Sequence, residues 1–207
     1  MDDFVISSPN IFSSITSNLT LECLFQRNSG RTIINYGPGG NGAYKYFNLE
    51  VLGSPLRTVL ATFNNNVVLD GTTTINSNTW YRGAVTYDGS TVKLYVNGNL
   101  ENTTSATGNI RYASDPSLNI GRKNVGNGEY IAGKVGEAKV YNKALTESEI
   151  LQNYYGGPIV TDGLVFAVDS SNLVSYESGS TTAYQLTGSN DGDVLNGTDY
   201  IPSNGGS

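Results

Sequence analysis

Between residues 19 and 140 apolar and polar residues alternate in short runs, and each run ends in a cluster of Gly and Asn. A period of two places one set of side chains in a core and the other outside it, so this pattern demands strands and leaves little room for helices. In "LTLECLFQ", Leu19, Leu21, Cys23 and Phe25 share one face, while Thr20, Glu22 and Gln26 mostly share the other. "AYKYFNLEVL" sets Phe47, Leu49 and Val51 against Tyr44 and Tyr46, and "RTVLATF" continues with Val59, Ala61 and Phe63. The separators "NYGPGGNG", "FNNN", "LDGTTT" and "VNGN" carry the residues that tolerate positive φ. Short strands at this spacing predict a sandwich or barrel.

The stretch "NTWYRGAVTYDGSTVKLYVNGNLE", residues 78–101, reads as three consecutive antiparallel strands turning at Asp88-Gly89 and Asn97-Gly98. One helix is predicted in "YNKALTESEILQNYYGG": Thr146 caps it, Glu149 completes a capping box, and Gly156 stops it. Its apolar side would present Ile150, Leu151 and Tyr154 to the sheets. After Gly157-Pro158 the composition shifts to one strong strand, "GLVFAVD", and a polar Gly/Ser/Thr/Asn-rich run. The expected division is therefore a jelly-roll domain at 1–157 and a C-terminal strand and arm at 158–207.

These motifs carry a resemblance. The 78–101 stretch, then "LNIGR", then "GKVGEAKVYNKALTESEILQNYY", resembles in that order the last strands and closing helix of laminin-G-like, concanavalin A-like jelly rolls, over roughly residues 2 to 155. The resemblance implies an all-β, two-sheet antiparallel sandwich that binds sugar or protein ligands on its sheet concavity or rim loops. It makes Trp80 a marker of the fold. Where the family often has Ile-Asp-Glu this chain has Val135-Gly136-Glu137, so no role of that missing carboxylate transfers. Modules of this kind usually begin with a strand resembling "GLVFAVD", which here lies at residues 163 to 169, so the order is rotated. The segment either folds back as a circular permutation, completes a neighbouring subunit, or belongs to a tandem array. The expectation carried forward is an inter-module or inter-subunit element, because strand donation satisfies exposed sheet edges. Tandem starts of this type resemble those of tailed-phage structural proteins.

Several chemistries are excluded or weakened. The sequence holds no histidine, which removes Ser-His-Asp and Cys-His catalysis together with the commonest metal ligand. Glycosidases on this fold need paired carboxylates at fixed strand spacing, and nothing resembling Glu-x-Asp-x-x-Glu occurs. Glu22, Glu50 and Glu137 stand alone and are expected on solvated outer faces. Cys23, the one cysteine, reads as a buried core thiol, and no disulfide forms within the chain. "YGPGGNG" lacks the lysine and following helix of a phosphate loop and reads as a turn. A net charge of −6 with no basic stripe argues against nucleic acid. No apolar run is long enough to span a bilayer, and "MDDFVISSPN" lacks the basic start of a secretion signal.

No cofactor is expected, although loop oxygens near Asp70, Asp88 and Asp115 leave calcium open. Sugar binding needs an aromatic to stack and amides or Arg to bond hydroxyls. The candidates are Tyr44, Tyr46, Arg122, Asn124, Asn127 and Tyr130. The expected function is a non-enzymatic module of a virion surface, a phage decoration, fibre or capsid-associated protein, with glycan binding. Its partners would be like subunits in a homo-oligomer, other virion or surface-protein subunits, and cell-surface glycan. The alternative is a carbohydrate-binding or adhesion module on the extracellular surface of a bacterium, with a glycoside hydrolase of the same fold third.

Overall fold

The alternation in "LTLECLFQ" becomes a strand whose Leu19, Leu21, Cys23 and Phe25 are each 1% exposed or less. That strand, β2 (Leu19–Gly30), pairs antiparallel with β7 (Trp80–Tyr87) on one side and β11 (Ile131–Tyr141) on the other. The computed structural model describes residues 3–6, 15–38, 46–111, 116–122, 129–172, 174–175, 181–187 and 192–195. The remaining elements are β1 (Asp3–Ile6), β3 (Thr32–Pro38), β4 (Phe47–Val51), β5 (Pro55–Ala61), β6 (Asn66–Thr74), β8 (Thr91–Val96), β9 (Asn99–Ser105), β10 (Pro116–Ile120), α1 (Glu147–Tyr154), β12 (Leu164–Asp169), β13 (Thr182–Ala183) and β14 (Gly192–Leu195).

They form two antiparallel sheets, one in the order β13-β14-β1-β10-β3-β4-β5-β6 and one in the order β12-β11-β2-β7-β8-β9. The fold is the expected all-β jelly-roll sandwich with one short helix. Its main core lies between the sheets and joins Leu21, Phe25, Phe47, Leu49, Leu60, Val85, Leu94 and Phe166 among others. The sheets press together at Gly83, where a Cβ would fall 2.8 Å from Leu56 Cδ2 and 3.3 Å from Phe25 Cε1. At the far margin Glu101 on β9 accepts from the backbone N–H of Thr72 and Thr73 on β6 at 2.5 and 2.6 Å. That carboxylate caps edge donors which would otherwise invite another strand.

The stretch at 78–101 forms β7, β8 and β9 as expected, with Asn97 at φ +50 and Gly98 at φ +78 in the second turn. The face in "RTVLATF" is different from expectation. Leu56 and Leu60 join the core, Val59 is half-buried, and Phe63 is 63% exposed. The register follows from β4, whose Val51 and Phe47 lie opposite Leu56 and Leu60. A one-residue slip would have turned all of them outward.

The outer face of the six-stranded sheet is not solvated. A second core of Ala84, Tyr95, Tyr141, Leu145, Ile150 and Val160 forms there, beneath α1. The helix starts as expected, with Thr146 and Glu149 closing a capping box. Gly157 N–H donates to Gln152 O at 3.1 Å after Gly156 at φ +71, which ends it in a Schellman turn. Its buried residues are Ile150 and Asn153, whereas Leu151 and Tyr154 are 38% and 37% exposed and straddle the turn at Gly98. An apolar count on a helical wheel overlooks Asn153 because its burial depends on a polar partner.

The "GLVFAVD" strand is β12, and it pairs antiparallel with β11 of the same chain, Phe166 opposite Val140. β14 then pairs with β1 on the other sheet. The segment thus completes the sandwich to which it is attached, in place of the expected pairing with a neighbouring module or subunit. Among the described residues no helix is long and apolar enough to cross a membrane.

Replacing Gly83 by Val forces Leu56 and Phe25 apart, with a loss of about 1–3 kcal/mol. Thr146→Ala removes the helix cap at about 1 kcal/mol. Urea unfolding should show both as lowered midpoints at unchanged slope; a Gly83→Val protein as stable as the parent would refute the close approach.

Candidate functional site

Of the six sugar-site candidates, Tyr44, Asn124 and Asn127 lie outside the described residues. The others do not converge. Tyr46 N–H donates to Tyr36 O at one end of β3, while Gly121 N–H donates to Ile33 O near the other end. Three residues of strand separate those points, about 10 Å. Tyr46 is half-buried and its ring leans on Tyr36 at 6.5 Å between centroids, so part of it belongs to the core margin.

Arg122 and Tyr130 do meet. They form an isolated bridge, and the Arg122 guanidinium carbon sits 5.5 Å from the centre of the half-buried Tyr130 ring, while Arg122 itself is buried. This is cation–π distance. Gly30 makes the arrangement sterically accessible: at φ +82 it has no Cβ where one would fall 2.0 Å from Tyr130 O. The next residue, Arg31, donates its N–H to that oxygen at 2.8 Å. Its guanidinium pairs with both oxygens of Glu50 at 2.9 and 3.1 Å and reaches Glu129 at 3.5 Å.

Between these two ends runs a row that sequence reading missed. Asn119, Asn35 and Asn48 stand opposite one another on β10, β3 and β4. Each is flanked in sequence by two core residues, as in Ile34-Asn35-Tyr36, Phe47-Asn48-Leu49 and Leu118-Asn119-Ile120. Alternation therefore turns all three carboxamides to the face away from the core. All are fully buried. Asn48 Oδ1 accepts from Val59 N–H at 2.7 Å and Asn119 Nδ2 donates to Ser117 Oγ at 2.8 Å. Asn48 Nδ2 and Asn119 Oδ1 have no partner among the described residues. A spare donor and a spare acceptor thus sit two strands apart, about 9–10 Å. The row continues through Val59 to Val68, which is 55% exposed. An Asn between two core residues, repeated in three strands, was the available signal.

The isolated carboxylates are not on solvated faces. Glu50 and Glu22 are 0% and 1% exposed. Glu22 and Glu137 share Arg82 Nη1 at 2.6 and 2.9 Å, Lys139 closes on Glu137, and Asn153 of α1 donates to Glu22 at 2.7 Å. Their positions along β2 and β11 conceal this, because the partner cation comes from β7. The proximity of two carboxylates calls for a test of hydrolytic chemistry. Burial pushes the Glu137 carboxyl up, but hydrogen bonding to Arg82 and the charge of Lys139 outweigh it and bring it down to about 2. A general acid needs the opposite shift. Burial likewise holds Tyr141, beside Glu22, protonated well above its usual range. The cluster has the chemistry of a structural ion network.

The carboxylates considered for calcium are engaged otherwise. Asp70 is held by two bonds from Arg57 at 2.5 and 2.8 Å, and Asp88 accepts from Ser90 and Thr91 N–H within its own turn. Asp115 lies outside the described residues. Among the described residues no group of three or more acidic or Cys side chains could hold a metal. Cys23 is buried in the core, and that burial raises its thiol well above the usual range, so it has no nucleophilic character.

Residues 2–151 match the family described as the Concanavalin A-like lectin/glucanases superfamily, and the chain belongs to it. No curated protein matches the chain. Among solved structures, it is similar to a "putative carbohydrate binding protein" from Bacteroides ovatus at 21% identity and TM-score 0.73, covering 96% of this chain and 59% of that one. The chain therefore spans under two thirds of that relative's length. It is also similar to the CBM40 of the Ruminococcus gnavus IT-sialidase, solved with alpha2,3 sialyllactose, at 15% identity and TM-score 0.62, covering 76% of this chain and 94% of that one. A third is the binding domain of botulinum neurotoxin serotype D/C, at 13% identity and TM-score 0.55, covering 74% and 40%. Two of these neighbours are described by carbohydrate and the third is the binding domain of a toxin, and at such identities they establish the shared fold.

The Glu137 shift has a sign that can be measured. Its folded value lies below the ordinary 4.5, so its stabilisation is complete above about 4.5 and is lost as pH falls toward 2. The loss is about 3 kcal/mol. Unfolding midpoints between pH 7 and 2 should fall more steeply for the parent than for Glu137→Gln; parallel profiles would show that the carboxylate carries no such linkage.

Proposed function

We propose that this chain is a non-enzymatic glycan-binding module of a larger surface assembly. The observation that carries the reading is the Arg122–Tyr130 pair, which sets a guanidinium over a half-buried aromatic ring at the end of β10. Such a ring offers a face for a sugar to stack on. The carboxamides of Asn119, Asn35 and Asn48 lie about 10 Å further along the sheet, are fully buried, and stand behind this site.

The neighbours' descriptions support the same reading, two of them naming carbohydrate. The non-enzymatic part rests on the ion network, which holds Glu137 ionised and Glu22 beneath a helix, away from any substrate. The assembly part rests on the resemblance of "GLVFAVDSSNLVSY" to tandem starts in tailed-phage structural proteins, which makes a virion the favoured setting and a bacterial surface the second.

Binding to an array of neutral and sialylated glycans tests the reading. The parent should give hits that weaken about tenfold in Tyr130→Ala and in Arg122→Ala, equivalent to about 1.4 kcal/mol. Thermal melts must show that both variants fold. An array without hits, or hits unchanged in both folded variants, would sink the proposal.

A further inference from the structure

The segment that completes the sandwich has the construction of an exchangeable element, and the geometry points to a second copy of this chain as its alternative host. Among the described residues the C-terminal segment joins the body by antiparallel edge pairing, β12 on β11 and β14 on β1, and by Phe166 in the main core. Such pairing is made by backbone groups in a fixed register, so the segment of one copy meets the same partners in another. Its tether is short. Asn153 Oδ1 accepts from Val160 N–H at 3.1 Å and Val160 is buried, which anchors the chain up to that residue. Residues 161–163 then reverse direction, with Leu164 N–H donating to Thr161 O at 3.1 Å and Gly163 at φ +75.

That reversal is tight. A Cβ at Gly163 would sit 2.8 Å from Lys143 Cβ, and the turn is tied down at its tip by Asp162 to Lys143 at 2.7 Å. Straightening three residues would carry the whole segment off the body, and short turns of this kind favour exchange between copies.

The segment meets the body at a small pocket lined from the body by Ile120, Val135 and Gly136 and from the segment by Val168, Ser175 and Ala183. Large apolar side chains exposed just before the turn favour the exchange: Tyr155 at 75% and Ile159 at 50%. When two copies trade segments their turns lie side by side, and that is where new surface is buried. On the glycan-binding reading above, an exchanged pair would carry two Arg122–Tyr130 sites and gain avidity. The exchange itself is measured without glycan.

The test uses the full chain in a Cys23→Ala background. Ala138 of β11 lies opposite Val168 of β12, so a thiol at each position reports that pairing. The double variant Ala138→Cys/Val168→Cys should close within one chain on oxidation. A tagged Ala138→Cys chain and an untagged Val168→Cys chain, mixed at high concentration just below the melting temperature, cooled and oxidised, should give a disulfide-linked heterodimer of about twice the monomer mass. Its yield should rise with concentration. If the double variant closes but the mixture stays monomeric at every concentration, the exchange is overturned; if the double variant fails to close, the pairing on which it depends is wrong.

Discussion

The outer face of the six-stranded sheet is organised around one guanidinium, that of Arg82. It stands between Glu22 on β2 and Glu137 on β11, with Lys139 beyond, and so ties three adjacent strands through buried charge. Taking such ions out of water costs several kcal/mol each, and removing one partner leaves the rest uncompensated. The other oxygen of Glu22 accepts from Asn153, which fixes the helix. Asn153 in turn accepts from Val160 N–H, which fixes the chain just before it turns into β12. One buried cation thus reaches, through three hydrogen bonds, the place where the last segment joins the fold.

The eight-stranded sheet uses buried polarity differently. Its carboxamides are neutral, so they can lie side by side without the repulsion that three carboxylates would feel. Among the described residues their amides are only partly matched, since Asn48 Nδ2 and Asn119 Oδ1 have no partner there. The two sheets therefore bury polarity in different ways, one with neutralised charge beneath a helix and the other with a row of enclosed carboxamides. The C-terminal segment joins both sheets, β12 on β11 and β14 on β1.

Legibility in the sequence followed the range of the interaction. The strands at 78–101, the two turns and the capping box rest on neighbours within a few residues, and all were readable. The face of β5 was misread because its register is set by β4, so Phe63 was assigned inward although it is exposed. Glu22, Glu50 and Glu137 were misread because each pairs with an arginine distant in sequence, at separations of 19 to 60 residues. Of the site, Arg122 and Tyr130 were named and do meet, Tyr46 was named and lies at the other end of β3, and the asparagine row was overlooked.

The sequence by itself determined an all-β sandwich, its helix and its family, because alternation, turn residues and caps act locally and leave their mark on adjacent positions. It also removed histidine chemistry outright. Tertiary structure decided where the displaced "GLVFAVD" strand goes, which carboxylates are buried, and which three asparagines stand abreast. Each of those depends on the register between strands distant in sequence, a quantity fixed when two sheets share one core.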